Sequence, residues 1–230
     1  MSVHGGHRQR TKERFRAFGL DAFQDHEALE LLLFFALPRK DVNPLAHRLI
    51  DRFGSLAGVF DATVDDLLKV EGVGASTALL IRMIPEMARK YMLSRTSLDN
   101  ILESSAQINA YLKSLFIGLR EEVVYLICLD GKRKVLNCTE VGRGIVNATQ
   151  ITIRKILEAA LGVGATMVIL AHNHPAGHPF PSVEDVATTR RLIETLDAAG
   201  ILLIDHVIVT NTDCISMKSS REYQSLFNRS

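Results

Sequence analysis

His172, Asn173, His174 and Pro175, followed by Gly177, Ser182 and Asp185, lie in one stretch, HNHPAGHPFPSVED, whose residue types and spacing suit a metal ion and a hydrolytic water. The run before it, Met167 to Ala171, is apolar and β-prone and predicts a buried strand, in which alternate residues share a face. His172 and His174 therefore project to the same side. Pro175, Gly177, Pro179 and Pro181 turn the chain, after which Ser182 opens an amphipathic helix with Asp185 in its first turn. Two imidazoles and a carboxylate can then converge. Three such ligands leave a tetrahedral Zn2+ one position open to water, the arrangement of a catalytic rather than a structural zinc.

Each residue also has a plainer role available. Ser182 and Asp185 spell Ser-x-x-Asp, close to a capping box that would punctuate the helix start. The loop imidazole of His178 can stand in solvent, compete as a ligand or meet the substrate. Further on, Asp205-His206 is a reserve ligand pair, or a buried Asp–His hydrogen bond that supports the site from behind. His-Asn-His does not indicate the nucleases named for those letters, which disperse them over a long ββ-helix motif.

The elements that must position these groups can be read from the pattern around them. Val123 to Leu129 and Lys134 to Glu140 read as strands about a two-residue Asp130-Gly131 hairpin. Helices are expected from Ile108 to Leu119, from Thr152 to Leu161 and from Ser182 to Ala199. The last leads into an apolar strand, Ile201 to Thr210, with an edge strand from Asp213 to Met217. Helices and strands in this order predict an α/β domain with a mixed central sheet sandwiched by helices. Upstream, residues 1–94 read as a smaller, all-helical domain: Arg8 to Phe18, Asp25 to Ala36 with Asp25 as cap and Pro38 as stop, Asn43 to Phe53, two short turns over Leu56 to Lys69, and Ala75 to Leu93. The polar, unpatterned residues 95–105 form the expected linker, and residues 106–230 the second domain.

Within the site stretch, HxHPxG with a downstream Ser and Asp resembles the signature of the JAB/MPN+ (JAMM) zinc metallopeptidases. The longer form HNHPAG…PSVED resembles the RadC branch, bacterial proteins labelled as DNA repair proteins. This resemblance spans nearly the whole chain and implies the same sheet-and-helix fold. It implies His172, His174 and Asp185 as zinc ligands, and Glu140, in Thr139-Glu140-Val141-Gly142-Arg143-Gly144, as the general base. It also implies that Ser182 stabilises the oxyanion. Ala176 departs from a common Ser. The implied function is a zinc-dependent hydrolase that cuts an amide or isopeptide bond in a protein or peptide of unknown identity. The competing function is a DNA-associated repair or recombination protein whose metal site is vestigial or acts on a non-peptide substrate.

That competing function rests on the helical region. Lys69-Val70-Glu71-Gly72-Val73-Gly74 before a helix resembles the helix-hairpin-helix modules of DNA-repair proteins. Glycines let a backbone approach phosphate, and the exposed N–H groups of the next helix receive it. Gly72, Gly74, Lys69 and Arg14, the last within a basic run from Arg8 to Arg16, are the candidate contacts for weak, sequence-indifferent duplex binding. The alternative is a tight turn between packed helices, and Glu71 opposes phosphate.

Composition narrows the classes further. The 230 residues are 47% hydrophobic, enough for two cores, and the net charge of +1 gives no global signal for a polyanion. Three cysteines without CxxC spacing suggest neither a disulfide framework nor a thiolate zinc site. No apolar stretch reaches the ~18 residues of a membrane span, and the N-terminal residues lack the apolar segment of a signal peptide. A cytoplasmic protein is expected.

Overall fold

The computed structural model describes residues 3–95, 105–144, 149–175, 177, 180–210 and 213–228. The chain divides into two compact units, Met1–Ala88 and Arg89–Ser230. Residues 96–104, most of the expected linker, lie outside the described residues, as does His178.

The first unit is helical: α1 (Val3–Phe18), α2 (Asp25–Ala36), α3 (Asn43–Phe53), α4 (Leu56–Asp61), α5 (Val64–Leu68) and the start of α6 (Ala75–Arg95). Leu29, Leu33 and Phe34 of α2 pack with Leu45 and Leu49 of α3, Val59, Leu67 and Ile81 into one buried core. Each such side chain removed from water contributes roughly 1.5–3 kcal/mol. The helix ends follow local chemistry. Ser55 caps α4 through Gly58 N–H, and Thr63 caps α5 through Asp66 N–H. Asp25 does not cap α2 as expected. Gln24 holds the cap position, the Glu27 carboxylate accepts from its N–H at 3.0 Å, and the Asp25 carboxylate instead accepts from Leu56 N–H.

The second unit is α/β. It contains α7 (Ser105–Phe116), β1 (Val123–Leu129), β2 (Val135–Arg143), α8 (Thr149–Gly162), β3 (Met167–Asn173), α9 (Val183–Ala198), β4 (Leu202–Val209), β5 (Cys214–Ser216) and a 3₁₀ turn at Gln224–Phe227. The sheet order is β2-β1-β3-β4-β5. All neighbours are antiparallel except β3 and β4, which run parallel because α9 carries the chain back between them.

Both faces of the sheet are covered. Tyr111, Leu112, Leu115 and Phe116 of α7 pack on Val123, Ile127, Ile169 and Val207. Ile156 of α8 and Leu192 and Leu196 of α9 pack on Leu126, Val168, Leu170 and Leu203. Burial on both sides explains why β3 reads as a continuous apolar run and not as an alternation. The β1–β2 connection is longer than the expected two-residue hairpin. Asp130 N–H bonds to Lys134 O, the Asp130 carboxylate accepts from the N–H groups of Lys132 and Lys134, and Arg133, not Gly131, takes the left-handed conformation (φ 64°). The Asp130 side chain stabilises this wider turn by satisfying its backbone donors.

Candidate metal centre

The site forms where β3 ends and α9 begins. His172 precedes Asn173 at the end of β3, and beyond it His174 N–H bonds to Val209 O at 2.9 Å, so the backbone of the second histidine is tied to β4. Gly177 N–H then closes a turn onto His174 O, with Gly177 at φ 86°, where a side chain would be strained. Asn173, between the two histidines, does structural work. Its Oδ1 accepts from Val123 N–H at 2.7 Å and its Nδ2 donates to Glu121 O at 3.0 Å, pinning the start of β1 to the end of β3.

Ser182 is the N-cap of α9 and Asp185 its third residue, and the capping box is complete. Asp185 N–H donates to Ser182 Oγ at 3.0 Å, while Ser182 N–H and Oγ–H donate to Asp185 Oδ2 at 2.8 and 2.7 Å. The punctuating role and the site role thus coexist, because the box fixes the carboxylate that faces the histidines. Asp185 Oδ1 lies 3.3 Å from His172 Nε2 and Oδ2 lies 3.4 Å from His174 Nε2. The two Nε2 atoms are 2.8 Å apart. Among the described residues, His172, His174 and Asp185 form the group whose ligand atoms all lie within 4.8 Å of one another.

The electrostatics follow from this crowding. Burial by itself raises the Asp185 carboxyl, but its bonds to His172 and His174 outweigh that and hold it well below the ordinary carboxylate range. Asp185 is therefore an anion. The side chain of His172 is 7% exposed and those of His174 and Asp185 are 15% and 19% exposed, so the carboxylate and the second imidazole keep partial contact with solvent.

His206 supports the site by a different route from the expected Asp–His bond. Asp205 does not touch the imidazole: its carboxylate accepts from His206 N–H, Lys218 N–H and Ser216 Oγ–H. The ring lies instead between His172 Nδ1, 2.8 Å from His206 Nε2, and Thr189 Oγ1, 2.6 Å from His206 Nδ1. Burial pushes His206 down to about 3, helped by the neighbouring His172. Thr189 was not singled out from the sequence. Its position four residues after Asp185, on the same helix face, is the signal that could have found it.

Glu140 is not among the converging residues His172, His174 and Asp185. On β2 it is registered opposite Tyr125 of β1, which is registered opposite Ala171, the residue before His172. Its carboxylate is gripped by the Arg143 guanidinium, Nε at 2.9 Å and Nη2 at 2.7 Å. That fork lowers the Glu140 carboxyl below its ordinary value.

The phosphate candidates belong to the first unit. Gly72 takes a left-handed conformation (φ 95°) in the turn between α5 and α6, and Arg48 Nη2 donates to Glu71 O at 3.2 Å beside it. Gly74 precedes the first turn of α6, and its carbonyl accepts from Ala78 N–H. Lys69 Nζ is 2.8 Å from Asp66, and Arg14 Nη2 is 2.8 Å from Glu27 with its guanidinium over the Phe23 ring. Among the described residues no helix is long and apolar enough to cross a membrane.

Comparison with protein families agrees with this division of the chain. The UPF0758 N-terminal family matches residues 6–79, within the helical unit. The RadC-like JAB domain matches residues 102–223, which include the whole sheet and each of the converging residues His172, His174 and Asp185, and the chain belongs to this family.

Proposed function

We propose that the chain is a zinc-dependent hydrolase that cleaves an amide or isopeptide bond. The observation that carries this reading is the meeting of two imidazole Nε2 atoms 2.8 Å apart with both oxygens of the Asp185 carboxylate 3.3 and 3.4 Å from them. So many lone pairs at one point call for a cation, and two nitrogens with one carboxylate are a donor set that suits zinc and leaves a position free.

His172, His174 and Asp185 would hold the ion. When bound, zinc would lower the pKa of a water from about 15.7 toward about 7 and polarise the scissile carbonyl. The remaining work falls to the chain. Glu140, a carboxylate ionised at neutral pH, accepts the proton of the attacking water and delivers it to the departing amine, and it must turn from Arg143 to reach the site. The Ser182 hydroxyl, released from Asp185 Oδ2, donates to the charge that develops on the substrate oxygen.

The first test is metal content. Purified protein should carry one zinc per chain by elemental analysis, and His174→Ala should strip most of it. Equal zinc in the wild type and in a His174→Ala, Asp185→Ala double variant would remove the site as drawn. The substrate is then sought by comparing peptide termini across a proteome with and without active protein.

A further inference from the structure

Thr189, His206 and the backbone carbonyl of Asp185 form a buried chain of short contacts that ends on His172, and the proton on each link can be assigned by counting. Thr189 Oγ1 lies 2.6 Å from Asp185 O and 2.6 Å from His206 Nδ1. Two oxygens or an oxygen and a nitrogen at that separation require a proton between them. The carbonyl has none to give, so the single hydroxyl proton of Thr189 goes to Asp185 O, the back-bond from residue i to i−4 available to a threonine in a helix. The Met217 Sδ at 3.6 Å is a poorer acceptor. The proton between Thr189 and His206 must then come from His206 Nδ1.

His206 is 2% exposed and Thr189 fully buried, and the only carboxylate next to His206 in sequence, Asp205, is turned to Ser216 and Lys218 and away from the ring. A neutral His206 with its proton on Nδ1 presents a bare Nε2. That nitrogen is 2.8 Å from His172 Nδ1, so the proton of this last link belongs to His172 Nδ1.

We infer that the Asp185 carbonyl, Thr189 and His206 act as a one-way hydrogen-bond chain that fixes a proton on His172 Nδ1 and so turns His172 Nε2, as an electron-pair donor, toward His174 and the Asp185 carboxylate. Thr189 and His206 are positioning residues. The inference rests on the metal-binding reading for its purpose but not for its proton assignment. It gives α9 two grips on one site, the side chain of Asp185 as ligand and its backbone carbonyl as the terminus that sets the direction of the whole chain. Partners of this kind, which orient a ligating imidazole from behind, typically change metal affinity 10–100-fold when removed.

The test is the tautomer of each ring, read by long-range proton–nitrogen correlation on the full chain labelled with 15N at histidine, at neutral pH, first without metal and then with zinc chloride. His206 should be protonated on Nδ1 and bare on Nε2 in both, and His172 should carry a proton on Nδ1. A proton on His206 Nε2 would overturn the inference in either state. Thr189→Val keeps the shape but loses the hydroxyl; it should disturb the His206 resonances and weaken zinc binding about 10–100-fold in chelator competition. Thr189→Ser should restore both. A Thr189→Val protein with wild-type tautomers and zinc affinity would show a purely structural threonine and overturn the inference as well. If Thr189→Val fails to fold, the wild-type spectrum still decides. If the wild type takes up no zinc, the hydrolase reading fails, and the His206 tautomer decides this inference separately.

Discussion

The candidate phosphate-binding cations of the helical unit and the groups that converge at the end of β3 are satisfied in opposite ways. In the helical unit every charged residue that the sequence marks for phosphate has a protein partner of complementary character: Arg14 meets Glu27, Lys69 meets Asp66, and even the buried Glu30 receives Asn43 Nδ2 and lies 3.1 Å from His7 Nε2. At the end of β3 the partners are of like character. His172 and His174 turn nitrogen toward nitrogen beside a carboxylate, and only a shared proton or a cation reconciles them. A self-contained arrangement stabilises a fold, whereas an unreconciled one is a request for a ligand, and burial raises the strength of that request by removing water.

The sharpest way to break this comparison is to separate metal from chemistry within the second unit. Glu140→Gln should leave zinc content unchanged, since Glu140 is outside the ligand group, and should lower hydrolysis by at least ~10²-fold once a substrate is in hand. Loss of zinc together with activity would make Glu140 a ligand and enlarge the unreconciled cluster.

The convergence of His172, His174 and Asp185 was legible in the sequence because local rules bring them together. The period of a strand puts His172 and His174 on one side, prolines and a glycine turn the chain, and a capping pattern starts the helix that carries Asp185. The same rules missed what depends on register between strands. His206 reaches His172 only because β4 lies parallel to β3 with His206 opposite Leu170, and no local pattern encodes that pairing. The sequence therefore suggested the neighbouring Asp205 as its partner, where the fold supplies Thr189 from α9. The β1–β2 turn fails for a related reason: Asp130-Gly131 invites a tight hairpin, but the Asp130 carboxylate satisfies two later N–H groups and widens the loop to Lys134. Arg143, three residues from Glu140 on a strand, would ordinarily point to the other side; the irregularity in the ladder beside Val124 and Tyr125 lets the two meet.

That Arg143–Glu140 fork sharpens the comparison, since it is a cation–carboxylate pair in the second unit that is satisfied as the helical unit's charges are. Arg143→Gln should raise the Glu140 carboxyl toward its ordinary value of 4.5, measured by NMR titration of the side-chain carboxyl carbon. The sign follows from the depressed native value. The ionised form is favoured in the folded chain, so the contribution of the fork is present above the unfolded pKa and lost as pH falls through the folded one. In the variant the acid limb of kcat/KM should therefore move to higher pH. With the carboxylate 35% exposed, solvent screening keeps the accompanying change in stability small. A Glu140 titration indifferent to Arg143→Gln would mean that the fork does not hold in solution.

The smallest effect is expected in the helical unit, where the question is whether its paired cations can be released to a duplex. An ion pair as exposed as Lys69–Asp66 is worth ~0–1 kcal/mol, so Lys69 is held only lightly, while Arg14 is held by Glu27 and by the Phe23 ring beneath it. If both reach phosphate, the full chain should bind unrelated duplexes alike, with log affinity falling against log salt at a slope of about −0.9 per phosphate contacted. Removing the competing carboxylates by Glu27→Gln and Asp66→Asn should then strengthen binding several-fold, about what one or two exposed pairs are worth. Glu27→Gln retains an oxygen for the Gln24 N–H, so the cap of α2 should survive the change. Fluorescence anisotropy with two duplexes of different sequence at low salt measures this directly. Binding that does not respond to the double substitution would mean that these pairs are not phosphate contacts in waiting.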